Sequence, residues 1–446
     1  MTTRLNQNSK ENNIESEILS GIALESNAEV SFIQSVKRNN HNYSYALYQK
    51  KINLFEYEFL KTYLYALYER PLYDDKVSIT EFAALASTAN PVIIAPRIES
   101  TNEKGLSIIE NEVVYVHLEY EGNKYQITVY IQLFHSNGNP VIRHNLSVLG
   151  TGPDSVKTNI LADYLIKQSI KNSYYKNNLL SVKLDDFNNL NISEIKIDEF
   201  RNESLDNIYL PDQIKSELKR FKECAENFEQ IGYGLRYLLC GSPGTGKTKS
   251  VRSLINLLYG KVTVLITTGE TDFKLLFDFA RLLSPAVICM DDLDLITGSR
   301  ETGYFINTLG NFLQELDGFE KNNIFLLATT NDKSLIDKAA SRPGRFDMIL
   351  DFGKIHKSNY INLINSTSNN EQIIELFDEE LLSKLKKKNV TGAFIVNIIK
   401  QLEIKSKLEP ESDLNKYLHV LIDLSHRGFY NKSEEKEFGF MMNGDT

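Results

Sequence analysis

Eleven consecutive residues, Leu238-Leu239-Cys240-Gly241-Ser242-Pro243-Gly244-Thr245-Gly246-Lys247-Thr248, carry an apolar run into a glycine-rich turn that ends in Lys-Thr. The stretch Gly241 to Thr248 fits G-x-x-x-x-G-K-[ST], the phosphate-cradling loop pattern. Small residues let the backbone curl so that several N–H groups point at one anion. The helix expected from Lys249 to Leu258 would offer its N-terminus to the same phosphates. Lys247 is placed to reach the outer phosphates, and the Thr248 hydroxyl can ligate Mg²⁺. A glycine-rich turn alone can be only a turn. The full match between a strand and a helix argues for phosphate binding.

A phosphate loop does not separate kinases, GTPases and ATPases; the residues after it do. Val287-Ile288-Cys289-Met290-Asp291-Asp292 is an apolar strand ending in two carboxylates. Asp291 suits Mg²⁺, often through water. Asp292 can orient or deprotonate an attacking water. Phe325 to Asn331 is a second apolar strand, ending in an amide that could position water beside a γ-phosphate. Ser341-Arg342-Pro343-Gly344-Arg345-Phe346-Asp347 then places two guanidinium groups on a stiff turn, where they could meet a transferring phosphoryl group.

These elements, in this order, resemble the AAA ATPases, over about Ser204 to Leu408. Gly241 to Thr248 matches Walker A, and Ile288 to Asp292 looks like Walker B. Asn331 falls at the sensor-1 position, and Arg342 and Arg345 match the family's arginine pair. Phe312 to Phe319 is similar to the family helix ending in Asp-Gly-Phe, which relays state between subunits. Thr391-Gly392-Ala393 resembles the Gly-Ala segment of the lid. The resemblance implies a homo-oligomeric ring, commonly a hexamer. ATP with Mg²⁺ would sit between subunits, and Arg342 and Arg345 would reach into the neighbouring site. A trans arginine of this kind contributes roughly 10³-fold or more to turnover.

Two departures from the family pattern matter. Asp292 stands where the family has Glu, one methylene longer, and a displacement of about 1 Å can cost ~100-fold. Slow hydrolysis, or a shifted strand that compensates, are both open on the sequence. The segment after Val262–Thr267, Gly269-Glu270-Thr271-Asp272-Phe273, shows no aromatic-glycine pore loop, which puts threading by aromatic paddles in doubt. In that shortening the chain resembles the Bcs1-type AAA branch, without that group's N-terminal span. Two functions follow as expectations. One is an ATP-driven remodeller of a macromolecular, chiefly protein, client. The other is a nucleotide-gated assembly scaffold with slow or no hydrolysis.

The remaining residues must hold this chemistry in place. With 446 residues, 42% apolar and 24% charged, the chain is long enough for about three globular domains. A net charge of −9 disfavours a global nucleic-acid or membrane-surface binder. Apolar runs are too short for a membrane span. Cys224, Cys240 and Cys289 form no C-x-x-C pair and fit reduced core thiols, so the expected compartment is cytoplasmic. Residues 1–27 are polar and expected to be loose. Residues 28–90, with Leu54, Phe59, Tyr63 and Leu67, carry helical spacing. Residues 91–200 are expected as an α+β domain: a meander through Val114–Leu118, Tyr125–Phe134 and Val141–Val148, a helix over Asp154–Lys171, and extended Leu179–Leu184 and Ile192–Ile197. Together residues 1–200 are expected to recognise a client or adaptor.

From 204 to 353 short apolar strands alternate with helices: Arg236–Cys240, Val262–Thr267, Ala286–Asp291, Ile324–Thr329 and Met348–Phe352. That pattern predicts a doubly wound α/β domain with ligands at the strand C-terminal ends. A helical lid over 354–408 and a tail over 409–446, with one helix at Leu414–Leu424, complete the expectation.

Overall fold

The computed structural model describes residues 3–5, 45–70, 73–85, 93–101, 106–136, 139–151, 157–184, 190–267, 271–293, 312–317, 324–331 and 344–438. They fall into two compact units, residues 1–176 and 177–446.

The first unit is built on seven strands: β1 Thr3–Leu5, β2 Tyr45–Ile52, β3 Val77–Leu85, β4 Ile93–Ile94, β7 Val113–Tyr120, β8 Asn123–Ser136 and β9 Asn139–Thr151. They form one antiparallel sheet in the order β1-β2-β9-β8-β7-β3-β4. A two-stranded ribbon, β5 Ile98–Thr101 with β6 Ser107–Ile109, lies between β4 and β7 in the chain. Helices α1 (Leu54–Glu69) and α2 (Thr158–Lys171) share a core with one face of the sheet. Val114, Val116 and Leu118 of β7 enter that core with Ile127 and Val129 of β8, as period-two alternation requires.

The meander expected from sequence is present as β7, β8 and β9. The helical region expected over 28–90 is corrected: within its described part, strands β2 and β3 flank α1 alone. Tyr45 to Ile52 pairs residue for residue with Thr151 to His144. That non-local ladder overrides the local aromatic spacing that reads as helical. The start of that region, residues 28–44, lies outside the described residues, as do residues 6–27.

The second unit holds another seven strands: β10 Leu179–Leu184, β11 Leu190–Glu194, β12 Arg236–Cys240, β13 Thr263–Thr267, β14 Ala286–Met290, β15 Ile324–Thr330 and β16 Met348–Asp351. Their order is β11-β10-β13-β14-β15-β12-β16. All pairs are parallel except β10 with β11. The expected boundary near 200–204 is therefore moved to 176/177. β10 pairs parallel to β13, Leu179 opposite Val264, and so extends the second sheet rather than the first. The reason lies in burial: Leu179, Leu180 and Val182 are fully covered, which suits an inner strand of a two-faced sheet.

Helix α3 (Asp212–Glu226) begins just after Pro211, with its stripe of Ile214, Leu218, Phe221 and Ala225 turned inward. A short helix, α4 (Phe228–Ile231), leads from it towards β12. Helix α5 (Lys247–Leu258) contributes Val251, Leu254, Ile255 and Leu258 to the same core. These meet alternate strand residues: Tyr237 and Leu239, Val287 and Cys289, Phe325 and Leu327. The intervening Leu238, Ile288, Met290, Leu326 and Ala328 are buried as well, so the sheet is covered on both faces. This is the doubly wound α/β fold with a preceding α+β unit.

Helix α6 (Phe273–Leu282) precedes β14. After β16 come α7 Tyr360–Thr367, α8 Glu371–Glu375, α9 Glu379–Lys387 and α10 Gly392–Leu408. The last helix, α11, spans Leu414–Phe438, longer than the Leu414–Leu424 expected. It is part of the lid rather than a separate tail, because Leu418 and Ile422 are buried in the core built by Tyr360, Ile364, Ile395 and Ile399. No helix among the described residues is long and apolar enough to cross a membrane.

Candidate nucleotide site

Register gathers the site. Cys240 of β12 lies opposite Thr330 of β15, and Met290 of β14 opposite Ala328. In a parallel sheet all three strands finish at one edge, so Gly241, Asp291, Asp292 and Asn331 emerge side by side.

The turn Gly241–Gly246 has the left-handed backbone that its glycines permit: φ is +79° at Gly244 and +102° at Gly246. A Cβ on Gly244 would sit 2.7 Å from the Ala393 Cβ, so a side chain there is excluded by contact as well as by torsion. Ala393 at the start of α10 donates its N–H to the Gly244 carbonyl at 3.3 Å. Thr391 caps that helix by accepting from the Phe394 N–H. The Gly-Ala segment singled out in sequence thus abuts the phosphate loop.

Lys247, only 5% exposed, donates from Nζ to the Gly241 carbonyl at 2.7 Å and the Ser242 carbonyl at 3.2 Å. It also donates to Asn331 Oδ1 at 2.7 Å, and Asn331 Nδ2 donates to Asp292 Oδ1 at 2.9 Å. A buried cation, an amide and a carboxylate therefore form one hydrogen-bonded chain across three elements. Beside it, Thr248 Oγ1 donates to Asp291 Oδ1 at 3.2 Å. Thr329, fully buried, donates its hydroxyl to the same Asp291 oxygen at 2.6 Å and accepts from the Asp292 N–H at 2.8 Å. The Cys289 thiol, two residues before Asp291, is pushed up to about 12 by burial, with the Asp291 charge adding to it. It is an inert core group. Thr245 Oγ1 donates to the Ser242 carbonyl at 2.9 Å, bracing the loop around Pro243.

A cavity of about 520 Å³ opens from this loop, a volume that suits one nucleotide. Ile208, Ile355, Leu363 and Val396 give it apolar walls that suit a flat base. Tyr209, also on the wall, donates to the Asn362 carbonyl at 2.9 Å and so ties the entry segment to α7. The Thr248 hydroxyl and Asp291 carboxylate are hard oxygen donors in contact, and they fit a Mg²⁺ carried in with phosphates.

The arginines behave differently. Arg342 lies outside the described residues. Arg345 is 7% exposed and makes a two-point ion pair within its own chain, Nε to Asp317 Oδ1 and Nη2 to Asp317 Oδ2, each 2.8 Å. The hydrogen bonds to Asp317 hold its guanidinium more strongly protonated than usual. Asp317 ends the helical residues 312–317, which the sequence had marked as a state relay. Sequence reasoning missed Arg236. Its guanidinium meets the Asp347 carboxylate at 3.1 Å, the Gly344 carbonyl at 2.6 Å and the Leu316 carbonyl at 3.4 Å. It thereby clamps the segments that bear both Arg345 and Asp317. Thr329 was missed too; its only signal was a hydroxyl closing an otherwise apolar strand.

Phe273, the aromatic of the segment in which no pore loop is recognisable, lies in helix α6, 4% exposed. Its ring packs 5.1 Å from that of Phe312, so it is a core residue. Gly269 and Glu270 lie outside the described residues.

A parallel sheet whose edge holds a lysine-bearing phosphate loop, an acidic strand end and an adjacent amide defines a P-loop nucleoside-triphosphatase fold. The narrower class follows from comparison: residues 237–354 match the family "ATPase family associated with various cellular activities (AAA)". The chain carries an AAA ATPase domain, as the sequence resemblance implied. It is 31% identical over 241 residues to an ATP-dependent zinc metalloprotease YME1 homolog of Schistosoma mansoni, covering 48% of this chain and 35% of that protein. It is 29% identical over 211 residues to an ATP-dependent zinc metalloprotease FtsH of Slackia heliotrinireducens, covering 43% of this chain and 27% of that protein. It is 33% identical over 163 residues to the mitochondrial inner membrane i-AAA protease supercomplex subunit YME1 of Saccharomyces cerevisiae, covering 32% and 22%. The chain spans about a third or less of the length of these relatives. Its 7 histidines include no H-E-x-x-H pair.

Proposed function

We propose that this protein hydrolyses ATP between the subunits of a homo-oligomeric ring, commonly a hexamer in this class, and uses the cycle to remodel a protein client met through residues 1–200. The observation that carries the reading is the continuous hydrogen-bonded chain Lys247–Asn331–Asp292 beside Thr248–Asp291. An ammonium, a carboxylate and a hydroxyl–carboxylate pair gathered at one sheet edge support phosphate binding, water orientation and metal binding there.

In the step itself, a water oxygen bonds to the γ-phosphorus. The bond from that phosphorus to the β–γ bridging oxygen breaks, and ADP leaves with the electron pair. The water proton passes to the Asp292 carboxylate. Asn331 holds Asp292 and Lys247 in relative position. Mg²⁺, held by Thr248 and Asp291, would neutralise developing charge on the phosphates. Arg345, or Arg342 beside it in sequence, would complete the neighbouring site.

A second reading, a nucleotide-gated scaffold with slow hydrolysis, is favoured by one observation: Arg345 is engaged by Asp317 of its own chain. Steady-state phosphate release, with native mass measured with and without ATP, separates the two. Turnover that rises with assembly and vanishes in Lys247→Ala supports the ring ATPase. ATP-dependent assembly without phosphate release supports the scaffold.

A further inference from the structure

Asp292 departs from the resemblance in length, and the structure shows how it is held. Its backbone lies at φ +52°, a left-handed conformation. Strand β14 ends at Met290, and a chain continuing in extended form would send residue 292 to the face opposite Asp291. Asn331 continues the parity of Phe325, Leu327 and Thr329, the face shared with Cys289 and the phosphate-loop helix. The left-handed turn swings Asp292 back across the sheet edge, where its Oδ1 meets Asn331 Nδ2 at 2.9 Å.

That turn is pinned by one hydroxyl. Thr329 Oγ1 accepts from the Asp292 N–H at 2.8 Å while donating to Asp291 Oδ1 at 2.6 Å. A threonine hydroxyl has one hydrogen and two lone pairs, so it can do both at once. Thr329 is fully buried on β15. Among non-glycine residues, Asp and Asn tolerate left-handed φ best, because their short polar side chains bond locally. A glutamate at this torsion is disfavoured.

We propose that Thr329 is a positioning residue for hydrolysis: its hydroxyl fixes the left-handed backbone that carries the shorter Asp292 carboxylate into place. Thr329 and Asp292 form a matched pair, and restoring the longer Glu at 292 does not help. The proposal rests on the ATP-hydrolysing reading of this site for its kinetic arm only.

The test uses the full chain as wild type, Thr329→Val, Thr329→Ser, Asp292→Glu, the double variant Thr329→Val/Asp292→Glu, Asp292→Gly and Asp292→Ala. Phosphate release, ADP affinity by calorimetry and thermal midpoints are measured for each. Thr329→Val is expected to lower kcat by ~10- to 100-fold with ADP affinity held within about 3-fold. Thr329→Ser is expected to recover kcat to within about 3-fold of wild type, since it restores the hydroxyl. Asp292→Glu is expected to lower kcat when Thr329 is present and to lose less, or nothing, when it is combined with Thr329→Val. Asp292→Gly is expected to lose turnover, as is Asp292→Ala, which removes the same carboxylate, and to melt above Asp292→Ala, because glycine takes φ > 0 without strain. Wild-type kcat in Thr329→Val, or a raised kcat in Asp292→Glu, would overturn the matched pair. A melting point for Asp292→Gly at or below that of Asp292→Ala would overturn the left-handed backbone. A wild type that releases no phosphate removes the hydrolytic reading, and the melting points of Asp292→Gly and Asp292→Ala still decide the backbone claim.

Discussion

Among the described residues the two large sheets each have seven strands, yet they distribute polar side chains in opposite ways. In the parallel sheet the strands of the core end at one edge, and the chemistry is concentrated there: Lys247, Asp291, Asp292 and Asn331 are joined by hydrogen bonds. In the antiparallel sheet neighbouring strands end at opposite edges, and among the described residues no edge gathers functional groups. Polar residues there lie along a face instead, as with the Glu81–His117 pair at 3.0 Å and Gln126 beside His117. Its buried charge is structural: Lys61, 2% exposed, donates to the Ile109 and Asn111 carbonyls at 3.0 Å each and pairs with Glu58. Direction of strands, more than composition, decides which sheet carries a site.

The sharpest way to break this contrast is Lys247→Ala. It should leave less than about 1% of phosphate release, because its ammonium is the cation seated inside the loop. Far-ultraviolet circular dichroism and limited proteolysis of residues 45–176 should be unchanged. Next, Arg345→Ala should cost ~10³-fold in turnover if the arginine acts in trans. Turnover and native mass both unchanged would confine Arg345 to its pair with Asp317. Third, Arg236→Ala should destabilise the second unit by about 1.5–3 kcal/mol in urea unfolding, the range for hydrogen bonds to a charged group.

Fourth, Lys61→Met should destabilise the first unit by about 1–3 kcal/mol, since two buried carbonyls lose their donor. Burial holds the Lys61 pKa below its ordinary value, despite Glu58 drawing it up. Between that lowered value and 10.5 the unfolded chain binds the proton and the folded chain does not. Wild type should therefore gain stability relative to Lys61→Met as pH rises through that interval. The smallest effect concerns the cysteines. Native alkylation at pH 8 should modify Cys224 at most, because Cys240 and Cys289 are buried and the Cys289 thiol is held near 12.

Much of the parallel sheet was legible because its strands are short, continuously apolar and punctuated by glycine, acid or amide. Arg236–Cys240 and Leu179–Leu184 emerge with the bounds read from sequence. What could not be read was partnership. Leu179–Leu184 reads as a strand in either unit, and only its ladder to β13 assigns it. Tyr45–Ile52 has aromatic and lysine residues compatible with a helix, and its pairing to β9 decides otherwise. In the site, the phosphate loop and its carboxylates were visible as local patterns. The Asp317–Arg345 pair and the Thr329 hydroxyl were not, because each depends on segments far apart in the chain meeting side by side.

The contact between Gly244 and Ala393 has a mechanical consequence. The phosphate loop and the first turn of α10 are joined by a backbone hydrogen bond, and the side chains packed against Gly244 are the short ones of Ala393 and Thr391. Any rearrangement of that loop is therefore passed on as a tilt of a stiff rod. The rod is 17 residues long, or about 25 Å at 1.5 Å per residue. The final helix runs back along this rod, with Tyr417 under Lys405 near its far end and His426 against Phe394 in its first turn, so a tilt of the rod carries that helix with it.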